Sequence, residues 1–188
     1  MKLTSYWLDT SEPFRGAAAG PVQGTCDVAV IGGGLTGCSA ALALAKKGAR
    51  VVLLEAETVG NAASGRNGGM CNNGFAQDYG TMSAKLGKEV ADRLYRAFDA
   101  GVDMVERLVA EEKIECSFAR VGKIKLAAKP EHYDKLARSQ ALLAAHVDPD
   151  TEMVSRAELA GEVGSDRFHG GLIAGAAGQR WRSIRRTW

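Results

Sequence analysis

The sequence has few residues of the kinds that build metal sites and disulfide frameworks. Its 188 residues include four cysteines and three histidines, with no CxxC pair and no Cys/His cluster. This scatter argues against a structural zinc site or a disulfide-stapled fold, and we predict no metal. Unpaired cysteines fit a reducing cytosol, and the N-terminal stretch MKLTSYWLDTSEPFRG has no apolar run of the secretory type. We therefore expect a cytoplasmic location.

A large excess of charge of one sign is also absent. The net charge is +2, and the last ten residues, QRWRSIRRTW, hold four Arg and no acid, which leaves −2 for residues 1–178. This mildly acidic body gives no electrostatic reason to bind nucleic acid. Residues 28–45 carry no charge over the length of a membrane span. Four of them are glycine, however, and the pattern changes from β-branched residues to Ala and Leu. We therefore predict a strand, a turn and a helix rather than a transmembrane helix, and no membrane as a partner.

Glycine is abundant, with 23 residues, and three consecutive glycines interrupt the stretch DVAVIGGGLTGCSAALALAKKGARVVLLEA at 27–56. DVAVIG predicts a buried strand, LTGCSAALALAKKG a helix, and RVVLLEA a second buried strand, which together form a βαβ unit. Gly32, Gly34 and Gly37 make the pattern G-x-G-x-x-G at the strand-to-helix turn. The first glycine permits the tight turn, the second lets a pyrophosphate approach the backbone, and the third lets the helix lie close to the sheet.

Glu55 ends the second predicted strand, twenty-three residues after Gly32. A carboxylate at this place can accept hydrogen bonds from both hydroxyls of an adenosine ribose, and it would repel the 2′-phosphate of NADP. The strand, the helix and the terminal acid supply the context that a glycine pattern needs. The sequence therefore predicts a dinucleotide site, and a glycine-rich turn without a ligand is the alternative.

A second glycine-rich stretch, GNAASGRNGGMCNNG, begins soon after Glu55, and residues 57–80 contain six Gly and four Asn. We interpret this stretch as a ligand-contacting loop. Its backbone N–H groups, the Ser64 hydroxyl and the Arg66 guanidinium could meet a pyrophosphate from a second side or line a flavin. A simple NAD domain would more often enter another helix here. FAD is therefore favoured, with an NAD-dependent dehydrogenase as an alternative.

Residues 27–56 followed by ASGRNGG resemble the FAD-dependent amine and amino-acid oxidases of the D-amino-acid oxidase type, and among them γ-glutamylputrescine oxidase-like proteins. TSYW before the glycine pattern and CNNG after the second loop also match. The resemblance spans most of residues 4–172 and is strongest over 27–74. It implies FAD as cofactor, a small-molecule amine or amino-acid-like substrate of the γ-glutamylputrescine kind, and O₂ as acceptor. The reaction that it implies passes hydride to flavin N5, converts the C–N bond to an imine that hydrolyses, and releases hydrogen peroxide.

The resemblance also implies which residues bind the cofactor, while the catalytic residues stay unassigned. Gly32, Gly34 and Gly37 would line the FAD pyrophosphate, and Glu55 would hold the ribose. The Arg66 side chain has an alternative interpretation, as a surface arginine paired with an acid. The implied cofactor-binding set is Gly32, Gly33, Gly34, Leu35, Thr36, Gly37, Glu55, Ala56, Ser64, Gly65, Arg66, Asn67 and Gly68.

The fold predicted from these patterns is α/β, an FAD-binding Rossmann-type parallel sheet with the beginning of a mixed α/β substrate domain. Apolar spacing over 81–112 predicts one long amphipathic helix or two abutting ones. Helices are expected from Pro130 and after Ser155, where Glu158 completes a capping box. A strand or hairpin is expected in SFARVGKIKLAAK and one more strand in FHGGLI. The predicted segments are a lead-in at 1–25, the βαβ core and second loop at 26–80, an incomplete continuation of both domains at 81–178, and an atypical basic tail at 179–188.

The tail GQRWRSIRRTW does not match the family, whose members are much longer, as the resemblance implies. We therefore expect a C-terminally truncated chain with an out-of-frame end. A non-enzymatic remnant that at most binds a dinucleotide is then an alternative function. A basic aromatic arm for nucleic acid or an acidic membrane is the rival interpretation of the tail. The oligomeric state is not indicated.

Overall fold

The computed structural model describes residues 3–18 and 20–174, and the basic tail predicted at 179–188 lies outside them. The chain forms two compact units that divide between Met70 and Cys71. The helices are α1 (Tyr6–Thr10), α2 (Leu35–Lys46), α3 (Tyr79–Leu86), α4 (Lys88–Glu111), α5 (Pro130–His146) and α6 (Arg156–Val163), with a 3-10 turn at Ala63–Gly65. The strands are β1 (Val28–Ile31), β2 (Val51–Leu54), β3 (Lys123–Leu126), β4 (Glu152–Ser155) and β5 (Gly170–Ala174). None of the described helices is both long enough and apolar enough to cross a membrane.

The first unit contains the predicted βαβ unit. Strands β1 and β2 pair in parallel, with Val28 opposite Val51, and α2 makes the connection that parallel strands require. Helix α2 is followed by Gly48, whose φ of 88° reverses the chain toward β2. Asp27 and Arg50 join the two strand entrances through an ion pair of 2.9 Å. The strand, helix and strand predicted from the sequence are confirmed.

The prediction that β1 is buried on both faces is wrong. Val28 and Val30 are half-buried, whereas Ile31 is 86% exposed. Val30 lies on the side of the strand that faces α2, near Gly37. An apolar strand is buried only where another element covers it, and in the described residues α2 is the helix in contact with this two-stranded sheet.

The prediction of an irregular lead-in through residue 25 is wrong at Tyr6–Thr10, where α1 forms. The N–H of Asp9 donates to the carbonyl of Ser5, and the N–H of Ser11 to the carbonyl of Trp7, both at 3.0 Å. A five-residue helix makes too few internal hydrogen bonds to persist by itself. Contacts outside the helix must therefore stabilise it.

The second unit is a three-stranded antiparallel sheet with β5 between β3 and β4. Gly87, with φ 84°, separates α3 from α4, so the alternative of two abutting helices is confirmed. The strands predicted in β3 and β5 and the helices α5 and α6 are also confirmed. Strand β4 was not predicted, because its sequence EMVS is neither a run of apolar residues nor an alternation of apolar and polar ones. Buried side chains of the core cluster are Tyr79, Ala91, Tyr95, Leu143 and Leu172.

The predicted capping box is confirmed at the start of α6. The N–H of Ser155 donates to Oε2 of Glu158 at 3.0 Å, and the N–H of Glu158 donates back to Oγ of Ser155 at 3.4 Å. These reciprocal bonds satisfy groups that a helix start leaves open.

Candidate cofactor-binding site

The glycine turn, Gly32–Gly34, joins β1 to α2. Gly32 has φ 100°, a conformation that L-residues with a side chain rarely adopt, and its N–H donates to the carbonyl of Leu54 at 2.7 Å. A Cβ on Gly37 would overlap the carbonyl oxygen of Gly32 and lie 3.4 Å from Cγ1 of Val30. The turn therefore requires glycine at 32, and the close approach of α2 to the turn requires glycine at 37.

The start of α2 presents backbone hydrogen-bond donors. The N–H of Leu35 donates to Oγ of Ser64 at 3.0 Å. The N–H groups of Gly34, Thr36 and Gly37 have no acceptor in the part of the chain that the structure describes. Free N–H groups and the partial positive charge at the first turn of a twelve-residue helix suit an anion. A Cβ on Gly34 would lie 2.9 Å from Oγ of Ser64, so a side chain at position 34 would crowd the Ser64 hydroxyl.

The carboxylate of Glu55 lies beside these donors. Its Oε2 accepts the N–H of Gly33 at 2.6 Å, and its Oε1 accepts the N–H of Glu57 at 3.1 Å. These backbone hydrogen bonds, the one from Gly33 foremost, lower the pKa of Glu55 from its ordinary value, so the side chain is a carboxylate at neutral pH. A carboxylate has about four acceptor positions. The N–H groups of Gly33 and Glu57, with a smaller contribution from that of Ala56, use part of this capacity, and the rest can accept hydroxyl groups. Ala56 itself lies on the exposed surface.

The second loop, residues 60–69, is connected to the glycine turn by two hydrogen bonds. One is the Leu35 bond to Ser64, and the other runs from the N–H of Gly60 to the carbonyl of Gly33 at 2.9 Å. Gly65 is buried, and a Cβ there would overlap the carbonyl oxygen of Gly60. The structure thus brings together the glycine turn and the Ser64–Gly65 part of the loop.

Asn67 organises the rest of the loop. Its Nδ2 donates to the carbonyl of Ser64 at 2.6 Å, and its Oδ1 accepts the N–H of Gly69 at 2.7 Å. Arg66 is exposed, and its Nε donates to the carbonyl of Asn61 at 3.0 Å. Within residues 3–18 and 20–174 no carboxylate pairs with this guanidinium, so the pairing with an acid that was considered for it is not formed there. Gly68 is exposed between Asn67 and Gly69.

Two residues that sequence analysis did not place in the site contact the loop. The hydroxyl of Ser5 donates to the carbonyl of Gly65, and Nε1 of Trp7 donates to the carbonyl of Asn67 at 2.8 Å. An open cavity of about 640 Å³ lies beside them, lined by α1, Arg66 and Asn67. The TSYW motif was the signal in the sequence that could have pointed to these two residues, and it is noticeable only through the family resemblance. Among the described residues, no three His, Cys, Asp or Glu side chains are grouped so that they could hold a metal ion.

Comparisons with known proteins show the family of this chain. The family model DAO, described as FAD dependent oxidoreductase, matches residues 27–182. The chain is 32% identical over 154 residues to gamma-glutamylputrescine oxidoreductase of Escherichia coli K12, which is 82% of this chain and 36% of that protein. It is 32% identical over 178 residues to the probable oxidoreductase OrdL of Haemophilus influenzae, which is 93% of this chain and 40% of that protein.

The chain therefore spans about two fifths of the length of these curated relatives. Among solved structures, glycine oxidase from Geobacillus kaustophilus superposes with a TM-score of 0.60 at 24% identity, covering 80% of this chain and 39% of that one. Glycine oxidase from Bacillus cereus gives the same score at 19% identity. These two likenesses concern the α/β fold alone.

Proposed function

This chain belongs to the DAO family of FAD-dependent oxidoreductases, whose cofactor is FAD, and from that premise we propose that the glycine turn, Glu55 and the second loop bind FAD for the oxidation of a C–N bond. The observation that carries the proposal is the hydrogen bond of 2.6 Å from the N–H of Gly33 to Glu55. It holds an ionised acceptor next to the free donors of α2. A dinucleotide needs both, one for its ribose hydroxyls and one for its phosphates.

The pyrophosphate of FAD fits the donors at the start of α2. The N–H groups of Gly34, Thr36 and Gly37 are unpaired among the described residues, and they lie where the helix dipole favours negative charge. The missing Cβ at Gly34 lets the Ser64 hydroxyl approach the start of α2, where it accepts the N–H of Leu35. The Arg66 guanidinium would add a charged donor from the second loop.

The reaction follows from the family and from the name of one relative. Held by the glycine turn, Glu55 and the second loop, FAD would supply a two-electron acceptor for the C–H bond beside the amine nitrogen, with O₂ as the final acceptor; the products would be hydrogen peroxide and an imine that hydrolyses. The relative named gamma-glutamylputrescine oxidoreductase supports a primary amine or amino-acid-like substrate of that class. This chain's residues serve binding and orientation in the proposal, and no side chain is assigned as a proton donor or acceptor.

The same proposal covers the arrangement along the chain. Residues 26–80 would be the FAD-binding core, and residues 81–178 a helical and β continuation of the FAD and substrate domains. A cytoplasmic location, a small-molecule amine and O₂ as partners belong to this proposal as well.

The test is cofactor selectivity. The 188-residue chain is titrated with FAD and with FMN, which lacks the adenosine ribose, and the nucleotide that copurifies is released by denaturation and identified. We expect FAD to be released, and Glu55→Gln to weaken FAD binding while leaving FMN binding unchanged, because only FAD offers the ribose hydroxyls. Glu131→Gln, an exposed acid at the first turn of α5, is the matched control. A wild-type chain that takes up NAD in place of FAD, or an unchanged FAD-to-FMN preference in Glu55→Gln, would contradict the proposal.

A further inference from the structure

Helix α1 lies against the second loop, sixty residues further along the chain. With five residues it has too little internal hydrogen bonding to be stable alone, so its conformation depends on what it contacts. Its contacts within the first unit include Gly65, Asn67 and Gly69 of the loop. Helix and loop therefore stabilise each other.

Ser5 stands at the N-cap position of α1 but does not cap it. A serine there commonly accepts an N–H from the first turn of its own helix. In this structure Ser5 makes no side-chain cap, and its hydroxyl instead donates to the carbonyl of Gly65. Leu8, one turn later, would lie 3.8 Å from a Cβ on Gly65. The face of α1 that carries these two side chains is directed to the buried glycine of the loop.

Trp7 fixes the other end of the loop. Its indole N–H donates to the carbonyl of Asn67 at 2.8 Å, and its ring lies so close to Gly69 that a Cβ there would be 2.7 Å from Cη2. Gly69 has φ 70°, which favours glycine independently. The ring thus covers a stretch of bare backbone, and a side chain at position 69 would push it away.

These contacts occupy three carbonyl groups of the loop. The carbonyls of Gly65 and Asn67 accept from α1, and the carbonyl of Ser64 accepts from the Asn67 side chain. In the part of the chain that the structure describes, the N–H groups of Asn67 and Gly68 have no acceptor. The N–H groups of Gly65, Arg66 and Gly69 are paired within the loop. In this conformation the loop therefore presents two open backbone donors, which suit the acceptor atoms of phosphate and flavin groups.

We propose that Ser5 and Trp7 form an N-terminal clamp that holds residues 64–69 in the conformation that binds FAD. They are positioning residues, because they act on FAD through the loop, and the inference rests on the proposed function. The clamp stabilises the binding-competent loop before the cofactor arrives, so less conformational entropy is lost on binding. Without it the loop samples other conformations, and the apparent affinity falls by the fraction that remains competent.

The experiment compares two measurements on the 188-residue chain and its variants. Hydrogen exchange of the residue 64–69 segment is measured without cofactor, and the FAD dissociation constant is measured with the visible circular dichroism of the bound flavin. We expect Trp7→Ala to speed exchange of this segment and to weaken FAD binding about tenfold, as the loss of a hydrogen bond and a ring contact implies. Trp7→Phe keeps an aromatic ring but lacks the indole N–H, so its loop exchange and FAD affinity should lie between those of the wild type and Trp7→Ala. Ser5→Ala should weaken binding and Ser5→Thr should restore it.

Phe14→Ala is the matched control, because Phe14 is an aromatic residue of the same segment that is 61% exposed. Unchanged exchange of the loop in Trp7→Ala overturns the clamp, whether or not FAD binds. Faster exchange with unchanged FAD affinity overturns its connection to the cofactor. A wild-type chain that binds no FAD, with loop exchange still dependent on Trp7, overturns the proposed function and with it the cofactor role of the clamp.

Discussion

Replacing Gly37 by alanine sets two physical effects against each other. Inside a helix, alanine is favoured over glycine by about 1 kcal/mol. At position 37, however, the new Cβ would overlap the carbonyl oxygen of Gly32 and lie 3.1 Å from its carbon. These are backbone atoms, so the helix or the turn must move, and overpacking of this kind costs about 1–3 kcal/mol. The difference between these two effects makes Gly37→Ala less stable than the wild type by up to about 2 kcal/mol.

Gly101→Ala provides the matched control. Gly101 lies within α4, and a Cβ there meets no atom within 4 Å among the described residues. This variant should be more stable than the wild type by about 0.5–1 kcal/mol. Urea unfolding followed by far-UV circular dichroism measures both changes, and an FAD titration follows the site. If Gly37→Ala and Gly101→Ala were equally more stable than the wild type, and Gly37→Ala bound FAD with unchanged affinity, the close approach of α2 to the turn would be refuted.

Three further predictions address single hydrogen bonds. Ser64→Ala removes the oxygen that accepts the first N–H of α2, and FAD affinity should fall by about threefold to tenfold in a fluorescence titration; an unchanged affinity would contradict the contact. Tyr95→Phe removes the donor 3.1 Å from Asp148, which is 9% exposed, and should lower the free energy of urea unfolding by about 1–2 kcal/mol. Burial and the hydrogen bond to Asp92 raise the pKa of Tyr79 to about 12. An unfolded tyrosine ionises near 10, so stability should fall as pH rises from about 10 to 12, and Tyr79→Phe should lose less over that range.

The glycine turn could be predicted from the sequence because its physics is local. Gly32 and Gly37 are five positions apart, and both the left-handed turn and the close helix start follow from residues within one short stretch. The capping box at Ser155 is local in the same way. Such features need no knowledge of the rest of the chain, so the residue pattern alone specified them.

Contacts between distant residues were not predictable. Ser5 and Trp7 meet partners sixty positions away, and no local pattern distinguishes them from other polar and aromatic residues in a lead-in segment. Ile31 shows the opposite case, a burial that was predicted but is not formed. Its apolar neighbours predict burial, yet it is 86% exposed, because burial depends on the element that packs against a strand.

The position of β5 at the centre of the second sheet has a consequence for the order of folding during synthesis. Neither β3 nor β4 has its neighbour until Gly170–Ala174 has left the ribosome, because both pair with β5. The βαβ unit, by contrast, pairs strands whose partners are 23 positions apart, and it can form first. A nascent chain therefore carries unpaired strands from the synthesis of β3 until β5 emerges, and their edges are where intermolecular association would start.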